Sequence, residues 1–139
     1  MTNQPSERIF NKVDVAKTQL DAAIQAYAKG EEIVAVTLAG AAEEIFGVMC
    51  RRKNIQSSVE KIAELSPLSI VSDKPNVRIA YLNSVRNCLK HAKEPKEDVF
   101  VMTDLDSFVM IVRALGNSKI LGISDSDNMR RFRNREFLR

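Results

Sequence analysis

Residues 31–54 read EEIVAVTLAGAAEEIFGVMCRRKN, and whether they form a strand or a helix decides the fold. The opening favours a strand, because Ile33, Val34 and Val36 are β-branched. Length and alanine content favour a helix: the apolar character continues through Ala35, Ala39, Ala41 and Ala42, well past the five or so residues of an ordinary strand. A segment apolar on nearly all sides reads as a helix covered by its neighbours. Gly40 would let another backbone approach closely, and Arg51, Arg52 and Lys53 complement the negative end of the helix dipole. A strand over EIVAVTL, giving a mixed fold, is the alternative.

Working outward, residues 11–30 (NKVDVAKTQLDAAIQAYAKG) repeat Val13, Ala16, Leu20, Ile24 and Tyr27 at helical spacing, with Asn11 as N-cap and Gly30 as stop. The ten residues before them carry no sustained period and are expected to form a flexible arm whose Ile9 and Phe10 dock on the body. Ser57 and Glu60 make a capping box ahead of a short helix that Pro67 ends. A flexible-looking PLSIVSDKP follows. A further helix is expected over Asn76–Ala92, and another in DLDSFVMIVRALGN, capped by Asp104 and stopped by Gly116-Asn117. Its apolar side would be Leu105, Phe108, Val109, Val112 and Leu115. A last helix starts near Ser124 or Ser126, with Phe132 and Phe137 as anchors and arginines outward.

These elements predict an all-α chain: a four-helix bundle core with one or two additional short helices, forming a single domain over residues 11–139 after an arm over residues 1–10. Two cysteines, Cys50 and Cys88, both expected to be buried, and no signal-like opening point to a reduced, cytoplasmic protein. The longest apolar run, IVAVTLAGAA, ends at Glu43-Glu44, so no membrane span is expected. A net charge of +3 does not by itself imply nucleic acid, although MRRFRNREFLR sets five arginines in the last eleven residues. One histidine, two distant cysteines and scattered carboxylates give no ligand set, so neither metal nor cofactor is expected.

The remaining question is SVRNCLKHAK, residues 84–93, which holds the only histidine. On a continuous helix, Val77, Tyr81, Leu82, Val85, Cys88, Leu89 and Ala92 share one arc and should face the core. Asn83, Arg86, Asn87, Lys90 and His91 share the other, with Arg86 and His91 at its margins and Asn87 placed to orient the ring. Ile79 lies on that polar arc, which suits a contact with a second copy. Histidine moves protons near neutral pH, and arginine binds phosphate through parallel donors, so the pair suits phosphodiester cleavage. A solvated helix face is the competing reading.

RNCLKH, residues 86–91, resembles the Arg, four residues, His signature of HEPN proteins, the higher-eukaryote and prokaryote nucleotide-binding superfamily. The pair TLAGAAEEIF and NSVRNCLKHAK is similar to small bacterial relatives of that group, and the resemblance covers roughly residues 13–115. It implies a helical homodimer that binds RNA, in many members a metal-independent ribonuclease of toxin–antitoxin systems, with an antitoxin as a further partner. Carried over, Arg86 binds phosphate and stabilises the transition state, His91 is the acid or base, and Asn87 orients. Asn83 and Lys90 support them, and Glu44 is the acid expected to hold Arg86 or His91, unless it is one of two surface acids. Some members only bind or assemble, so a non-enzymatic helical interaction module is the alternative function.

Overall fold

Asn11 starts the first helix as its sequence predicts: its side-chain oxygen accepts from the backbone N–H of Val13 at 2.8 Å and from that of Asp14. The computed structural model describes residues 3–137, with every side chain among them except that of Ser66. The first two residues of the expected arm, and Arg139 of the basic tail, lie outside the described residues. Helix α1 (Lys12–Ala28) ends where Gly30 takes φ +76°, a left-handed conformation that costs glycine little. The chain turns at once into α2 (Glu32–Arg52), which settles residues 31–54 as helix. No strand occurs among the described residues.

The α1–α2 hairpin packs along its length through Ala16, Leu20, Ala23 and Ile24 against Ala35, Ala39, Ala42 and Phe46, all fully buried. Alanines on both helices bring the two axes close. By length and apolar character alone α2 could span a bilayer, with mean hydropathy 1.7 over its best window, contrary to the expectation from its shorter apolar run. Half of that window is buried against the rest of the chain, as in a core helix.

The third long helix, α6 (Asp104–Ile120), packs on the other side of α2. Its N-cap is Thr103 and not Asp104: the Thr103 N–H donates to Asp106 Oδ2 at 2.8 Å, closing a capping box. Nor does Gly116-Asn117 stop it. The Asn117 side chain reaches sideways, donating from Nδ2 to the Glu43 carbonyl at 3.2 Å and accepting from the Ser58 N–H at 2.7 Å. An asparagine so engaged fastens helices together, and α6 runs on until Gly122 at φ +71°.

The inward row of α6 also differs from expectation. Ser107, Met110, Ile111, Ala114 and Ser118 are buried, and of the predicted apolar side only Leu115 joins them, with Phe108 half-buried. Leu105, Val109 and Val112 face solvent at 62%, 38% and 43% exposure. Small side chains on α6 meet the alanines of α2, and the bulkier aliphatics are left outside.

Helix α7 (Asp127–Arg133) is capped by Ser126, whose hydroxyl accepts from the Met129 N–H at 3.2 Å. It buries Met129 and Phe132, the latter with ring centroids 5.6 Å from Tyr27 and 5.7 Å from Phe108. Between α2 and α6 lie α3 (Ser58–Ala63), opened by the Ser57–Glu60 capping box, a 3-10 turn (Ser66–Ile70) within the stretch expected to be loop, α4 (Pro75–Leu82), α5 (Ser84–Cys88) and a 3-10 turn (Pro95–Asp98). Ile9 and Phe10, expected to dock, are both exposed.

Candidate functional site

The helix expected over Asn76–Ala92 is broken at Asn83, which separates α4 from α5 with φ −95° and ψ 2°. The cause is Arg113 of α6. Its Nη1 donates to the Leu82 carbonyl at 3.0 Å and its Nη2 to Asn83 Oδ1 at 2.6 Å. In a continuous helix the Leu82 carbonyl would accept from the N–H four residues on, and here it is taken.

With that break goes a rotation of faces. Val77, Tyr81, Cys88 and Ala92, assigned by periodicity to the core, are exposed, and Leu82, Val85 and Leu89 are only half-buried. Arg86, assigned to the wet arc, is 8% exposed, and Asn83 and Ile79 turn inward with it. Ile79, expected on an exposed arc, is therefore half-buried and lines a cleft.

What draws the polar arc inward is Glu43 on α2, itself 3% exposed. Its Oε2 accepts from Arg86 Nη1 at 2.8 Å and its Oε1 from Arg113 Nη2 at 3.1 Å, with Arg113 only 1% exposed. One carboxylate thus serves two guanidinium groups, and the trio carries a net positive charge inside the protein. Burial pushes the Arg113 pKa down and Glu43 opposes the shift; an arginine so placed still carries its charge at neutral pH. Arg86 Nε and Arg113 Nε are buried with no hydrogen-bond partner among the described residues. Gly40 makes room for the Arg86 stem, since a Cβ there would stand 2.6 Å from Arg86 Cδ. The close approach expected at Gly40 is thus made by a side chain and not by a backbone.

Arg86 and Glu43 form part of the wall of a cleft of about 430 Å³, closed on other sides by Ile79, Asn83, Val59 and Glu60. Glu44, expected to hold Arg86 or His91, is exposed and pairs instead with Lys90, Nζ to Oε2 at 3.5 Å. Asn87 is exposed on α5. His91 lies beyond the end of that helix, on non-helical backbone in solvent. The structure therefore gathers Arg86 and Asn83 around the buried ion group and sets Lys90 with Glu44 at the surface. It brings neither Asn87 nor His91 into hydrogen-bond contact with Arg86.

Sequence reasoning missed Glu43, Arg113 and Asn117. A signal for the first existed: Glu43 follows Ala35, Ala39 and Ala42 on the arc of α2 that Phe46 continues, so an acid stood at a core position. Comparison with protein-family models, curated proteins and solved structures gave no match.

Proposed function

We propose that this chain is a HEPN-like protein of the cytoplasm that binds RNA and cleaves it without a metal ion, with α4–α5 as the broken fourth helix of a four-helix bundle. The observation that carries the reading is Arg86: its guanidinium is locked by Glu43 at the wall of a cleft, five residues before an exposed histidine. A guanidinium fixed in advance is suited to stabilising charge that develops on a phosphoryl group. In this reading the His91 imidazole takes the proton from the 2′-hydroxyl as its oxygen attacks phosphorus. The bond from phosphorus to the 5′-oxygen breaks, and a second imidazole, from another copy, returns a proton to that oxygen. The products are a 2′,3′-cyclic phosphate and a 5′-hydroxyl. Lys90 and Asn87 bear on the same exposed edge and hold the backbone.

The burial of Arg86 favours a second reading, a non-enzymatic interaction module in which the ion group only builds the fold. One experiment separates them: wild type, His91→Ala and Arg86→Ala are incubated with a mixed RNA pool in chelator, each with a thermal melt. Under the first reading His91→Ala melts like wild type and cleaves about 100-fold more slowly or worse, the ordinary loss of an acid–base group. Because Arg86→Ala also removes a buried partner, only His91→Ala is a clean probe of chemistry. Equal cleavage by both preparations removes the catalytic reading; RNA binding without cleavage leaves a binding module; neither activity leaves the interaction module.

A further inference from the structure

Glu44 borders two hollows: the cleft at Arg86, and a second groove of about 440 Å³ along the outer side of α2. The floor of this groove is apolar. Ala41, Ile45 and Val48 follow one another along it at spacings of four and three, with Met49 beside them. From Ala41 to Arg52 it follows α2 for ~16 Å, at about 1.5 Å per residue.

The rim is basic. Lys12, the first residue of α1, and Arg52, the last of α2, come to the same end of the groove because the hairpin is antiparallel. On the opposite wall Lys90 is held by Glu44 at 3.5 Å. The side chains of Lys12 and Arg52 have neither an ion-pair nor a hydrogen-bond partner among the described residues. The positive end of the α1 dipole and the negative end of the α2 dipole meet here and offset each other, so these two cations decide the local charge. An uncovered apolar trough thus ends at a pair of uncompensated positive charges.

We propose that this groove binds a fatty acid, with its carboxylate between Lys12 and Arg52 and its hydrocarbon chain along Val48 and Ile45 toward Ala41. The volume is that of a small-molecule site, mostly apolar with a few polar groups that fix orientation. A partner helix, about 10 Å across, would rest on the rims and leave the floor empty. A nucleotide or free phosphate would satisfy the cations and leave the floor bare, and a neutral hydrocarbon would do the reverse. Only a ligand with one anionic head and one apolar tail answers both. The stems of Lys12 and Arg52 can lie along the apolar wall while their heads stay at the water, so closing on a carboxylate asks little desolvation of them. The site goes beyond the RNA reading and does not depend on it.

The test is calorimetric titration of the full chain with octanoate, decanoate and dodecanoate, each below the concentration at which it forms micelles. One molecule is expected per chain, with affinity rising about fourfold for each added methylene until the tail outruns the floor. Lys12→Glu and Arg52→Glu should each weaken dodecanoate binding about tenfold or more, as like-charge juxtaposition does. The double variant should reject dodecanoate and accept dodecyltrimethylammonium, which the wild type refuses. Val48→Gln, at an exposed position of the floor, should lower affinity and flatten the gain per methylene. Circular dichroism accompanies each variant, and the floor and rim substitutions back each other should one fail to fold. A wild type that takes up no dodecanoate, a double variant that binds it as the wild type does, or uptake only by micelles or anionic vesicles overturns the site. Binding that appears only in Ile9→Ser with Phe10→Ser gives the groove to the arm ahead of Lys12 and overturns it as well.

Discussion

The α1–α2 hairpin and the α4–α5 segment show equally clear helical periodicity, and only the first is arranged as that periodicity implies. In α1, Ala16, Leu20, Ile24 and Tyr27 are buried as a stripe. In α4–α5 Val77, Tyr81 and Cys88 of the corresponding stripe are exposed, and the inward side runs through Ile79, Leu82, Asn83 and Arg86. Periodicity shows that a helix has two faces; which one is covered depends on what the neighbours offer. α1 meets an alanine surface with no charge to satisfy. α4–α5 meets Glu43 and Arg113, and a buried carboxylate without cations would be far more costly than an exposed tyrosine. The charges set the rotation.

If so, breaking the ion group should do more damage than anything done to the apolar stripe. Glu43→Gln leaves Arg86 and Arg113 buried side by side without their carboxylate, and the expected loss is about 3–5 kcal/mol in urea unfolding. A loss under about 1 kcal/mol would mean that the trio is solvated and the comparison mistaken. Gly40→Ala probes the same contact from the helix that receives it. Because the Arg86 head is fixed at Glu43, its stem cannot swing freely from an added Cβ, and the expected cost is about 1–3 kcal/mol. The same change at a solvent-facing helical glycine would instead stabilise.

At the small end, Tyr81→Ser removes an aromatic side chain that is 57% exposed, and the expected cost to the monomer is within about 0.5 kcal/mol. The register expected from periodicity would make it a core truncation costing about 3 kcal/mol or more. Alkaline pH gives a further contrast. Burial pushes the Cys50 pKa above its ordinary 9.0, so the folded protein keeps a proton that the unfolded chain sheds. That contribution is intact below pH 9 and declines as pH rises beyond it, and Cys50→Ala should flatten this part of the profile.

Much of the fold was legible from the sequence. The helical state of residues 31–54, the Asn11 cap, the Ser57–Glu60 box and the start of α7 at Ser126 are all local signals, set by residues close in sequence, and local signals can be read from one chain. The break at Asn83 was not legible, because it is made by an arginine 30 residues away. The outward stripe of α6 was hidden for a related reason: Ser107, Ala114 and Ser118 look like a polar-to-neutral face until the alanines of α2 are seen to meet them. At the site, Arg86 was singled out from its motif, but its partner was assigned to Glu44 when the acid one position earlier faces inward. A shift of one residue on a helix turns a side chain by about 100°, enough to exchange surface for core.

The most direct measurement of the central claim, that charge pairing turns the face of α5 outward, is native thiol labelling of the two cysteines. Cys88 is exposed on α5 and Cys50 is fully buried on α2. With an aromatic disulfide reagent at neutral pH, the account predicts one fast equivalent per chain, lost in Cys88→Ser and retained in Cys50→Ser, with the second equivalent appearing only on unfolding. Two thiols protected alike until the protein unfolds would place Cys88 in the core and contradict the account.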